Sequence, residues 1–418
     1  MLERLGKITF AVVVVAGIAA AGVISANAQV GGRSAPALAG PADVPPPVSG
    51  KTITVGPDGD YATIQEAADV AKPGDNVEIA AGSYEGGLNL STSGAEGQYI
   101  TFYGKGGAAI VSGGGGEDGL IAIGSSSWLR FIDVTSSGSD GFGIMANGAS
   151  DLVFTNVAID GSQDGGLVLL NTSNVLVDGC DISGTNAEGT SADHEAMSLG
   201  SGGSNIEVRG CRVYDNGEEG IDVKYADDAQ AKIHDNIVYG NRGPNIYVDS
   251  SSNVDIFNNT VYATGDESKA GIMLAVEDYS DSLVVDNVKV YNNVVYGNAN
   301  AGLTFWKESD GTIGNVQIVN NTFYGNANGA VTSGTDIGGE NLLRNNIFGE
   351  GDVDLDGFTA DTNVAGDPGF VDAEGGDFHL TDSSAAIDAG AADGAPAFDL
   401  EYTTRPTGAG VDIGAYER

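Results

Sequence analysis

The chain repeats one short pattern along most of its length. Leu129-Arg130-Phe131-Ile132-Asp133-Val134 returns as Leu152 to Val157, Val175 to Cys180, Ile206 to Cys211, Lys232 to Asn236, Val254 to Asn259, Val288 to Asn293, Val316 to Asn321 and Leu342 to Asn346. The segments end at 134, 157, 180, 211, 236, 259, 293, 321 and 346, so successive steps are 23, 23, 31, 25, 23, 34, 28 and 25 residues. Each step holds short strands and tight turns. Such a unit buries its apolar face only against its neighbours, so the repeat predicts an all-β solenoid, a parallel β-helix with one coil per unit.

Stacking the coils at about 4.8 Å lines up equivalent side chains. One column is Cys180, Cys211, Asn236, Asn259, Asn293, Asn321 and Asn346 at a turn, where each amide can bond the next. Three residues on comes a tyrosine column: Tyr214, Tyr239, Tyr262, Tyr296 and Tyr324. The adjacent cysteines read either as a disulfide or as small fillers of the ladder; the stacking geometry favours the filler. A second strand set places Ile144, Leu167, Met197, Ile221, Ile246, Ile272 and Leu303 inward. Its outward columns are Met145, Val168, Ser198, Asp222, Tyr247, Met273, Thr304 and Asn147, Leu170, Gly200, Lys224, Asp249, Ala275, Trp306. An open face of this length suits an extended ligand such as a polysaccharide. The two longest steps carry insertions, Gly184 to Asp193 in one and Gly265 to Ser268 and Glu277 to Asp286 in the other, that could wall a groove on it.

The two ends differ from the middle. Arg4 and Lys7, the apolar run Ile8 to Ile24 and Ala26-Asn27-Ala28 read as an export signal over 1–28, with Pro-rich 29–50 as a flexible linker. This implies a secreted or cell-surface protein with no stable membrane span once the signal is cleaved. The body over 51–350 opens with Thr52 to Val55 and a helix over 61–71, read as an N-terminal helical cap; 351–418 reads as a C-terminal cap. Gly at 65 of 418 with Pro at 11 excludes collagen. With 18 basic against 58 acidic residues the formal charge is −40, which excludes nucleic acid as a partner and favours a monomer.

Against that charge, one cation stands out. In Glu219-Gly220-Ile221-Asp222-Val223-Lys224 the outward pair is Asp222 and Lys224. Stacking sets Lys224 over Asp249 and Asp222 between Ser198 and Tyr247, with His194, Glu195 and Glu219 at the turns entering the strands.

Tyr61 to Ala67, Lys72 to Asp75, the units Asn292 to Asn298 and Asn320 to Asn326, and the ending Asp412 to Glu417 resemble right-handed parallel β-helix proteins of the pectate-lyase-like superfamily. That fold hosts lyases, hydrolases, epimerases and adhesins. His194 to Leu199 followed by Glu219 to Lys224 is similar to paired coils in relatives of the family 9 polysaccharide lyases. The resemblance implies Lys224 as the base, with His194 beside it, in β-elimination of a uronic-acid polysaccharide. It also implies Ca²⁺ held by some of Glu195, Glu219, Asp222 and Asp249. Ser198, Tyr247 and Trp306 would then contact substrate.

Carboxylates beside Lys224 favour its charged form, opposite to what a base needs, so this reading requires a neutralising metal. Three other readings stand beside it. Asp222, Lys224 and Asp249 could be an exposed ion-pair ladder; paired carboxylates could serve a glycoside hydrolase; or the solenoid could bind glycans without catalysis.

Overall fold

Alternation sends Ile221 and Val223 to one side of their strand and Asp222 and Lys224 to the other, and the same rule applied coil by coil builds the molecule. The computed structural model describes residues 50–186, 194–308, 310–351 and 353–418. The export segment over 1–28, all but the last residue of the linker over 29–50, and residues 187–193 of the first insertion lie outside the described residues. Among the described residues no helix is long and apolar enough to cross a membrane.

Two large sheets form the solenoid, one of ten strands and one of 23. In the ten-stranded sheet, Ile144–Asn147, Leu167–Leu170, Met197–Gly200, Ile221–Lys224, Ile246–Asp249, Ile272–Val276 and Leu303–Lys307 run parallel and in register. Their inward ladder from Ile144 to Leu303 is the one expected from sequence, and none of its members is more than 2 % exposed. Burying each such side chain contributes about 1.5–3 kcal/mol.

The 23-stranded sheet takes two strands from most coils, such as Ser204–Arg209 and Arg212–Tyr214, with a sharp bend between them. Asn156, Asp235, Asn258, Asn292, Asn320 and Asn345 make these bends at φ of 51–58°. Asn and Asp tolerate that left-handed region because their short side chains bond locally. The paired asparagines thus divide the work, the first turning the chain and the second forming the ladder. Asn236 Nδ2 donates to Asn259 Oδ1 at 3.0 Å, Asn259 to Asn293 at 3.0 Å, Asn293 to Asn321 at 2.9 Å and Asn321 to Asn346 at 3.0 Å. Cys180 and Cys211 are buried free thiols at the head of this ladder, where the Cys180 N–H lies 3.3 Å from Cys211 Sγ. Tyr214, Tyr239, Tyr262 and Tyr296 stack at 4.8–5.1 Å, while Tyr324 turns to meet Phe370 and Phe378. A second amide ladder, which sequence reading missed, includes Asn216 to Asn241 and Asn298 to Asn326, each at 2.8 Å.

The N-terminal expectation needs correction. The helix contracts from 61–71 to the five residues Ile64–Ala68, opened by a Thr63–Glu66 capping box. Tyr61 is held in a bridge to Val55 and turns follow Ala68, so no helical cap is evident among the described residues. In the C-terminal segment Phe358–Asp361 and Val364–Ala365 add a last coil, and Val353, Leu355 and Phe358 pack on the end of the core. Beyond them the chain runs back along the flank. Phe370, Phe378, Leu380, Ile413 and Ala415 pack on Val294 and Ile347, and Arg405 is buried against Glu417 at 3.0 Å.

Candidate functional site

On most of a solenoid the outward residues of a strand are exposed. Here four consecutive strands, Met197–Gly200, Ile221–Lys224, Ile246–Asp249 and Ile272–Val276, are buried at every position, whereas Ile144–Asn147 and Leu303–Lys307 are not. The outward columns read from sequence hold: Ser198, Asp222 and Tyr247 are in register, as are Gly200, Lys224 and Asp249. Gly200 leaves room for the lysine, since a Cβ there would lie 3.1 Å from Lys224 Cγ and against its backbone carbonyl.

Lys224 is 6 % exposed. Its ammonium donates to Glu195 Oε1 at 2.7 Å and lies 3.8 Å from Asp222 Oδ2. It also sits over the Tyr225 ring at 5.6 Å. Glu195, reaching back from the turn, thus pairs directly with Lys224. The reading as an exposed ladder fails on burial: Asp222 and Asp249 are each 1 % exposed. The Glu195 carboxylate is oriented by Ser198 Oγ, whose own contact to His194 Nδ1 is 3.5 Å, and the His194 ring meets Phe142 edge-on at 5.1 Å.

Too many acids share this space for all to ionise freely. Burial and then Glu195 push the Asp222 carboxyl well above its usual range. Burial and Glu277 raise Asp249 to about 8, and burial and Glu195 raise Glu219 to about 7. Burial alone would lower Lys224, but Glu195, Asp222 and Asp249 outweigh it and hold the amine protonated. Asp222 Oδ1 is buried without a hydrogen-bond partner. Among the described residues no three acidic, His or Cys groups converge as a preformed metal cage.

The structure thus gathers Lys224, Glu195, Asp222, Ser198 and His194 tightly. Glu219 is half-buried beside them, and Asp249 follows on the next coil. Tyr247 is buried and donates to Glu277 Oε1 at 2.8 Å. Trp306 is 37 % exposed and lies three strands beyond Lys224 in the same column. Sequence reading missed Glu277 and Tyr225. The long 259–293 step was the signal: that insertion brings Glu277 to both tyrosines, with Tyr225 at 3.4 Å from it. The same insertion supplies Tyr279 to Ser282, which with Tyr225, Asp227 and Asp228 line a groove of about 650 Å³ next to the site.

Comparison with known proteins places this geometry in context. The fold is similar to that of pectate lyase Pel9A, with a TM-score of 0.59 at 17% identity over 89% of this chain and 97% of that one. It is also similar to a hyperthermoactive exopolygalacturonase from Thermotoga maritima, with a TM-score of 0.55 at 12% identity over 72% of this chain and 86% of that one. At these identities the likeness is one of fold. No curated protein matches the chain in sequence. A family model described as a right handed beta helix region matches residues 86–261 and 201–348. With that match over well more than half its length, and with the coils and ladders described above, the chain belongs to the right-handed β-helix family.

Proposed function

We propose that the chain is an exported, monomeric lyase that cleaves a uronic-acid polysaccharide by β-elimination at the buried patch of the ten-stranded sheet. The observation that carries this reading is Lys224, an amine buried among carboxylates on the outward face of a solenoid. In the reaction the neutral Lys224 Nζ takes the proton from C5 of the uronate. The C5–H pair becomes the C4=C5 double bond, the C4–O4 bond breaks, and the departing oxygen takes a proton from water.

The substrate-free arrangement holds Lys224 protonated, so proton abstraction requires its neighbours to be neutralised first. The residue types suit a hard cation, carboxylate oxygens with one buried and unpartnered, Asp222 Oδ1, but no three of them converge in this arrangement, so binding would have to draw them together. Glu195, Glu219, Asp222 and Asp249 would hold Ca²⁺, which when bound supplies positive charge to the uronate carboxylate. Ser198 orients Glu195, and Trp306 offers an exposed ring to a sugar further along the column. A second reading, a glycoside hydrolase, is favoured by Glu219 at about 7 and Asp249 at about 8, values suited to a general acid.

The test measures unsaturated uronate on pectate, alginate and glycosaminoglycans, with Ca²⁺ or chelator, for the native protein and Lys224→Ala. Calcium-dependent product that disappears in the variant is expected. Unchanged activity in Lys224→Ala removes the lysine from the mechanism. Reducing ends without unsaturation select the hydrolase, and binding without turnover selects a glycan-binding role.

A further inference from the structure

A buried histidine that takes no part in the acidic patch sits where the returning segment meets the 23-stranded sheet. His234 is 3 % exposed, on the outward face of Ala231–His234, in register with Arg209 on one side and Phe257 on the other. Its ring stacks on Phe257 at 4.5 Å, which fixes the direction of both nitrogens. Nε2 lies 3.1 Å from Glu207 Oε1, and Nδ1 lies 2.5 Å from Asp235 Oδ2. Each of those oxygens already accepts from a second donor. Arg209, itself paired with Asp178, donates to Glu207 Oε1 at 3.0 Å, and the Tyr402 hydroxyl donates to Asp235 Oδ2. Both carboxyls are thus acceptors, and the ring faces one at each nitrogen. A neutral imidazole has a single N–H; only the imidazolium satisfies both partners. Lys232 and Asp255, in register with Glu207, are the next charges along the sheet. Burial works against the charged ring, but Asp235 and then Glu207 outweigh it and raise the ring above its ordinary 6.5.

We propose that His234 is a pH-sensitive clasp, holding a turn of the returning segment on the solenoid while its ring is doubly protonated and releasing that turn when a proton leaves. Tyr402 belongs to a turn closed by the Phe398–Thr404 bridge, and its bond to Asp235 joins positions 167 apart. At φ 64° it holds a left-handed backbone that a bulky residue keeps only where its surroundings impose it. Loss of one proton leaves a ring lone pair facing a carboxylate. Glu207 keeps its N–H, because it is buried and held by Arg209. Asp235 stands at a bend with its side chain 21 % exposed, so it is the partner that turns to water. Tyr402 then loses its anchor and the turn relaxes. The sign follows from the ring: the clasp is complete below about pH 6.5 and is lost as pH rises through the higher value of the folded ring. His379 titrates in the same segment, facing Asp377 at 2.6 Å and Glu401 at 3.3 Å, but those contacts stay within the segment and do not tie it to the coils.

Two measurements on the full chain test this. In protein labelled with nitrogen-15 histidine, the ring shifts report protonation, and His234→Gln identifies the His234 signals. Asp235→Asn, which should lower the His234 midpoint, assigns them if His234→Gln does not fold. Both ring nitrogens should carry protons at about pH 6, and one should be lost with a midpoint above the ordinary value of about 6.5. Chymotrypsin cleavage at Phe398 and position 402 reports the turn. Each rate is taken relative to Tyr402→Phe at the same pH, since that variant keeps the ring and lacks the anchor. At about pH 6 the native turn should be cut roughly tenfold more slowly than the variant, and above the His234 midpoint the two rates should agree within about twofold. His379→Gln, at a half-exposed ring, should keep that response. Three outcomes overturn the proposal: a singly protonated His234 ring at pH 6, a rate ratio unchanged across its titration, or a response abolished by His379→Gln.

Discussion

Replacing Asp249 by Asn should remove much of the pH dependence of stability. The two side chains have the same shape, so the change is one of charge. Burial and Glu277 raise the Asp249 carboxyl from its ordinary 3.8 to about 8 in the folded protein. Between those values the folded state holds a proton that the unfolded chain has released. Stability is therefore full below about pH 4 and is lost as pH rises toward 8. At about 1.4 kcal/mol per pH unit the ceiling is roughly 6 kcal/mol, reduced because Glu277 shares the proton and Lys224 opposes the shift. Glu219, raised to about 7, adds in the lower part of the same window. Urea denaturation in chelator from pH 4 to 8.5 should show a falling midpoint in the native protein and a flatter line in Asp249→Asn. The variant should be the more stable of the two at pH 8.5, by at least about 1.4 kcal/mol, one pH unit of the shift. Parallel lines, or a variant less stable at pH 8.5, would refute the assignment of a neutral buried carboxyl to this position.

Glu277→Gln should bring the Asp249 carboxyl back toward its ordinary range, since Glu277 is the largest cause after burial; in the same titration the fall in stability then ends at lower pH. Asn293→Leu removes the acceptor for the Asn259 N–H and Nδ2, each at 3.0 Å, inside the ladder. Two buried donors left unmade predict a loss of about 2–6 kcal/mol, read as a lower melting temperature. Arg405→Met leaves Glu417 buried without its cation, a loss of about 3–5 kcal/mol in the returning segment. Limited proteolysis should then cut within 366–418 while the coils survive.

How much of this the sequence carried depends on the range of the interaction. The inward ladder, the register of the two outward columns, and the amide and tyrosine stacks all follow from period and alternation, and the structure keeps them. Asn258-Asn259 and Asn292-Asn293 even encode two roles in adjacent letters, though only the ladder half was read. What was not legible is lateral. Nothing in the spacing of Phe398 or Arg405 says that the chain turns back along the flank, because that contact joins residues more than 100 positions apart. The helical cap failed for a local reason: apolar positions at Ile64, Ala67, Ala68 and Ala71 marked a buried face, but the bridge at Tyr61 delays the helix start to Ile64 and the chain leaves the helix at Asp69.

The same distinction explains why the outward columns were placed correctly while their burial was not. Alternation assigns Asp222, Lys224 and Asp249 to the outward face, and outward on a solenoid ordinarily means solvated. Burial of four successive strands on both faces reverses that consequence without moving a residue. In water, three carboxylates around an amine are an ordinary set of weak pairs. Removed from water, they cannot all be charged, and the cost appears as protonated Asp222 and Asp249 and a lysine held in its acid form. A solenoid gains nothing in stability from such a patch, since an apolar column at these positions would pack as well as Met145 and Val168 do lower on the same face. The patch is costly to the fold, and its chemistry becomes usable only when a ligand changes the charge around Lys224.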